Sequence, residues 1–149
     1  MSQAVLLTGI SGFIGLYCAK ELLDSGFKVR GTIRSQKKEQ VVRDTIKRNN
    51  VNIENLEFRL LDLNSDNGWT QSMKGIDYVM HVASPFRITN PKNENEMMLP
   101  AVEGTKRVLR AADKANVKRV ILTSSIVAMM SSLRRGCFGP NDWTDVNYP

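Results

Sequence analysis

Apolar residues fall in short runs separated by longer amphipathic stretches, and the spacing inside each stretch predicts its element. Residues 4–8 (AVLLT) form a strand-length apolar run closed by Gly9. Residues 13–25 predict a helix: Ile14, Cys18, Ala19 and Leu22 share one side, and Gly26 stands where a glycine ends a helix. A second strand is predicted over 28–34 (KVRGTIR), then a polar helix over 38–48 with Val41, Val42 and Ile46 facing inward. A third strand follows at 56–61, a short helix at 69–73 and a fourth strand at 76–83 (IDYVMHVA). Residues 94–115 predict a long helix, in which Met97, Met98, Ala101, Val102, Thr105, Val108, Leu109 and Ala112 recur at helical spacing. Pro100 lies inside it and predicts a bend or a late start. A fifth strand is expected over 117–123 (VKRVILT), and beyond Ser132 no period persists.

Strands alternating with helices in this way predict parallel βαβ units. The expected fold is α/β, a Rossmann-type doubly wound parallel sheet of about five strands. With 149 residues the chain is expected to be a single domain, 1–149, without solenoid repeats or a low-complexity linker.

Composition narrows the function classes. With 42% hydrophobic residues there is enough apolar material for a core, which argues against disorder. Cys18 and Cys137 lie far apart, a usage that suits a reducing cytoplasm and offers no metal-finger spacing. His81 is the single histidine, so neither a His-rich metal site nor a Ser-His-Asp triad is expected. No apolar run nears the roughly 20 residues of a bilayer span, and the amino terminus lacks the pattern of a secretory signal. The net charge of +6 is read as a solvated basic surface, with neither nucleic acid nor membrane expected as a partner.

The chemistry concentrates in Thr8-Gly9-Ile10-Ser11-Gly12-Phe13-Ile14-Gly15, between a strand and a helix. Gly9 makes the tight turn, Gly12 lets a pyrophosphate approach the backbone, and Gly15 lets the helix pack closely on the sheet. Backbone amides at the helix start then hold the anion. The spacing is GxxGxxG, and no GK[ST] makes it a P-loop. The second strand ends Thr32-Ile33-Arg34-Ser35-Gln36-Lys37-Lys38, with no acid to hold a ribose 2′-hydroxyl. Arg34 offers a planar fork for a 2′-phosphate, with Lys37 or Lys38 near to add charge. NADP is therefore expected over NAD.

TGISGFIG, TIR, LLDL, HVASPF, PAVEGTKRVLRAA and VKRVILTSS come in the order seen in extended short-chain dehydrogenases/reductases. Across residues 5–143 the chain most resembles the dihydroflavonol-reductase-like group, within the NAD-dependent epimerase/dehydratase superfamily. The resemblance implies cofactor contacts at Gly9, Gly12 and Gly15, with Thr8, Phe13 and Ile14 beside them, and at Arg34 and Lys38. It implies adenine contacts at Asp62 and Leu63, for which a turn after a strand is the plainer reading of Asp62. It further implies that Val82, Ala83, Ser84 and Thr123 run past the cofactor, and that Ser125 hydrogen-bonds the substrate carbonyl oxygen. Read from the residues alone, Ser124 or Ser125 would cap the next turn. His81 is expected to be a buried strand residue. Phe86, Met129 and Met130 are candidates for pocket or core alike.

The family's tyrosine, four residues before a lysine, has no match: Tyr17 is followed by Glu21, Tyr78 by Val82, and Tyr148 by a single residue. DWTDVNYP resembles the stretch that precedes that pair, so the chain is expected to be the cofactor half of a longer protein, inactive alone. The implied reaction is hydride transfer between NADPH and an aldehyde or ketone. An NAD-dependent nucleotide-sugar epimerase or dehydratase, or a non-catalytic dinucleotide-binding protein, stays open beside it, as does a homodimer through the long helix. The fifth strand is expected to be an exposed edge prone to self-association.

Overall fold

The computed structural model describes residues 2–85, 93–130, 136–145 and 147. Phe86 and Tyr148 lie outside the described residues. Five parallel strands, β1 (Ala4–Thr8), β2 (Lys28–Ile33), β3 (Leu56–Leu60), β4 (Tyr78–His81) and β5 (Arg119–Leu122), form one sheet in the order β3-β2-β1-β4-β5. Helices α1 (Phe13–Asp24), α2 (Lys37–Arg48), α3 (Trp69–Ser72) and α4 (Asn95–Lys114) connect them. The chain runs from β1 outward to β3, then returns to place β4 on the other side of β1. That reversal opens a crevice at the carboxyl ends of β1 and β4.

Strand alternation splits the core in two. Leu7 and Val29 face α1 and α2, packing with Ala19, Leu23, Val42 and Ile46. Leu6 and Val79 face α3 and α4, packing with Trp69, Met73, Val108 and Ala112. The expected doubly wound α/β sheet of five strands is thus the observed architecture. Gly26 ends α1 as expected: at φ +81° its amide bonds Leu23 O, while that of Phe27 bonds Leu22 O.

Several expectations need correction. Ile14 is exposed, because α1 meets the sheet through Gly15, Ala19 and Leu23, one turn apart. Val41 is also exposed; Val42 and Ile46 share the inner face of α2, and Val41 lies about 100° round the helix from Val42. The apolar positions of α4 divide between two faces. Gly104, Val108, Ala111 and Ala112 are buried, whereas Met98, Leu99, Val102 and Leu109 are exposed. Pro100 does not delay that helix, which starts at Asn95. The fourth strand stops at His81, two residues early, because the amides of Val82 and Ala83 both turn to the Thr8 hydroxyl. The fifth is an edge strand that leaves Ile121 and Leu122 about half exposed.

Candidate functional site

The glycine loop occupies the crevice. Gly9, at φ +70°, takes a conformation that side chains resist, and a Cβ there would lie 3.0 Å from Ala83 Cα. The Gly12 amide closes the turn on Gly9 O at 2.9 Å. A Cβ on Gly15 would collide with Gly9 O and sit 2.9 Å from Ile10 Cα, so only glycine lets α1 begin this close to the loop. Gly12 caps α1 with no side-chain hydrogen bond, and the first turn carries no acid. The amides of Phe13, Ile14 and Gly15 therefore meet no partner among the described residues. Three free donors at the positive end of a helix dipole make an anion cradle.

A cleft of about 750 Å³ opens from this cradle. Gly9, Gly12, Phe13, Ile14 and Gly15 floor it, Arg34 comes from the end of β2, Asp62 and Leu63 from the end of β3, and Val82, Ala83 and Ser84 from the exit of β4. Eleven of the expected site residues thus converge from four segments of the chain. Thr8 is fully buried behind the wall rather than on it, and its hydroxyl accepts from the Val82 and Ala83 amides at 3.0 Å each. Lys38, Thr123 and Ser125 do not line the cleft. Met129 and Met130 do not line it either.

Arg34 is exposed and makes no ion pair or hydrogen bond among the described residues, unlike Arg43, which pairs with Glu39 at 2.9 Å. Its guanidinium is available to an anion. Asp62 begins a turn: its Oδ1 accepts from the Asn64 amide at 2.9 Å, as the plainer reading had it, while Oδ2 has no partner among the described residues. The turn is pinned from two sides. Trp69 Nε1 donates to Ser65 O at 2.9 Å and to Asp62 O at 3.2 Å, and Arg107 of α4 holds Leu63 O and Asp66. Ser125 caps the 3₁₀ turn Ile126–Ala128 by accepting from the Val127 amide at 3.3 Å, which leaves its hydroxyl proton free to donate.

Sequence reasoning missed Ser11, Thr32, Asn64, Trp69, Glu96 and Pro100, all of which line the cleft. Thr32 carried a signal. It is a polar residue in an apolar strand end, and its buried hydroxyl accepts from the Gly9 amide at 3.3 Å.

Comparison with known proteins agrees with this architecture. An uncharacterized oxidoreductase of Schizosaccharomyces pombe is 33% identical over 153 residues, covering 98% of this chain and 45% of its own length. Dihydroflavonol 4-reductase of Hordeum vulgare is 32% identical over 146 residues, covering 97% of this chain and 41% of its own. The crystal structure of yeast methylglyoxal/isovaleraldehyde reductase complexed with NADPH superposes with a TM-score of 0.83 at 27% identity, over 98% of this chain and 45% of that one. The chain thus spans under half the length of these relatives. The NAD dependent epimerase/dehydratase family matches residues 5–140, and the chain belongs to that family.

Proposed function

We propose that residues 1–149 form the NADP-binding domain of an oxidoreductase that passes hydride between NADPH and an aldehyde or ketone. The observation that carries this reading is the pairing of an amide cradle with the Arg34 guanidinium, both without partners among the described residues, at a β2 end whose sequence, residues 32–38, has no acid to oppose a 2′-phosphate. The residues fit the dinucleotide chemically. A Cβ at Gly15 would push the cradle apart, and the ≈ 750 Å³ volume lies within the range of small-molecule sites. The cradle amides hold the pyrophosphate, Arg34 the 2′-phosphate, with Lys38 adding charge near it, and Oδ2 of Asp62 accepts from the adenine amine. Thr123 and Ser125 lie at the β5 exit, and the Ser125 proton is the donor for the carbonyl oxygen as negative charge develops there. Bound NADPH supplies the hydride.

No tyrosine of this sequence has a lysine four residues on, so the chain alone binds the cofactor without turning over carbonyl substrate. The free thiols of Cys18 and Cys137 support a cytoplasmic location. No helix among the described residues is long and apolar enough to cross a membrane. The exposed Met98, Val102 and Leu109 of α4 support a homodimer. Neither nucleic acid nor membrane is a partner in this reading.

NADPH fluorescence titration of the purified chain tests the proposal. Saturable binding that Gly12→Ala weakens is expected, together with no oxidation of NADPH by aldehydes. Absence of binding, or steady turnover abolished by Ser125→Ala, overturns the corresponding half.

A further inference from the structure

The one histidine of the chain sits directly behind the cleft. His81, 2% exposed, faces Thr8 across the β1–β4 register, with Nδ1 at 2.7 Å from Thr8 Oγ1. Its Nε2 lies 3.4 Å from Thr105 Oγ1 on α4. A threonine hydroxyl has one proton to give and two lone pairs to receive with. Both lone pairs of Thr8 are taken, by the amides of Val82 and Ala83 at 3.0 Å. The hydroxyl proton must therefore go to Nδ1, which must be bare. The ring is then neutral with its proton on Nε2, aimed at Thr105. Burial acts the same way, holding the imidazole below its ordinary pKa.

We infer that His81 is a positioning residue of the cleft. By accepting the Thr8 proton it turns both Thr8 lone pairs onto the Val82 and Ala83 amides, and so holds the exit of β4 against Gly9. Those two residues form the cleft wall, and a Cβ on Gly9 would already lie 3.0 Å from Ala83. Without an acceptor at Nδ1 the hydroxyl rotates, one amide loses its partner, and the wall moves to satisfy it. Protonation has the same result, since an Nδ1–H would compete for a lone pair already in use. That the wall matters for a dinucleotide rests on the function proposed above.

The first test needs no variant. In ¹⁵N-histidine NMR of the whole chain at neutral pH, His81 is expected as the Nε2–H tautomer, with the Val82 and Ala83 amides protected from exchange. An Nδ1–H tautomer or an imidazolium overturns the inference. The second test is NADP titration. His81→Leu is expected to lose about tenfold in affinity, the order set by one orphaned buried amide, while His81→Gln, which keeps an acceptor and a donor, restores most of it. Thr8→Val should fall at least as far and Thr8→Ser should not. Circular dichroism checks that the variants fold. Unchanged amide exchange and affinity in His81→Leu would refute the positioning role. A wild-type chain that binds no NADP refutes the dinucleotide reading instead, while tautomer and amide exchange still decide the role of His81.

Discussion

Gly15→Ala and Gly12→Ala add the same methyl group three residues apart and should act on different properties. At Gly15 the new Cβ meets backbone: Gly9 O, and at 2.9 Å the Gly9 carbonyl carbon and Ile10 Cα. None of these is the end of a flexible side chain, so α1 or the loop must shift. Overpacking of this kind costs about 3 kcal/mol at the upper end of its usual range. Alanine's better helix propensity returns about 1 kcal/mol. The net loss of about 2 kcal/mol should lower the Tm by roughly 4–8 °C in a domain of this size. At Gly12 the backbone is extended, with φ −84°, and the nearest neighbour of a Cβ is Gly9 O at 3.3 Å. A poorer helix cap and a stiffer unfolded chain roughly offset each other there, leaving stability within about 1 kcal/mol of the parent. The methyl group would stand where the pyrophosphate approaches, so affinity for NADP should fall by about tenfold or more, equivalent to about 1.4 kcal/mol. Thermal unfolding and NADPH titration of both variants give the comparison. Equal loss of stability in the two, or full NADP affinity in Gly12→Ala, would refute the reasoning.

Other substitutions probe other parts of the structure. Trp69→Phe removes the indole N–H from Asp62 O and Ser65 O; unfolding should show a loss of about 1–2 kcal/mol, and NADP titration a several-fold weaker affinity. His81 is the single histidine, and its pKa is held below 6.5 by burial. Below pH 6.5 the unfolded chain therefore binds more protons than the folded one. The urea midpoint should hold above that pH and fall as pH drops from 6.5 toward the folded pKa, a dependence that His81→Gln should remove. Ile121→Lys with Leu122→Lys puts charge on the exposed edge strand β5 and should reduce self-association in sedimentation velocity.

The parts legible in the sequence were those set by neighbours close along the chain. The run AVLLT, three glycines and a helix start lie within residues 4–15, and each constrains the next. Strand ends depended on distant partners. Val82 and Ala83 leave the sheet because Thr8, more than 70 residues earlier, takes their amides. Helix faces were misread where small residues make the contact. In α4, Gly104 and Ala111 carry packing that a count of large apolar residues overlooks. The Asp62 turn depends on the Trp69 indole and the Arg107 guanidinium, neither of which its own sequence reveals. Glu96 and Pro100 reach the cleft only because α4 packs over the same end of the sheet, a relation no local pattern records.

The ratio of NADP to NAD affinity, measured by calorimetry for the parent chain and for Arg34→Ala, tests the central claim most directly. NADP should bind at least about tenfold more tightly than NAD to the parent, and the substitution should bring the two close to equality by weakening NADP alone. Equal affinities in the parent, or a preference for NADP that survives Arg34→Ala, would contradict the reading of the cleft as a site for a 2′-phosphorylated dinucleotide.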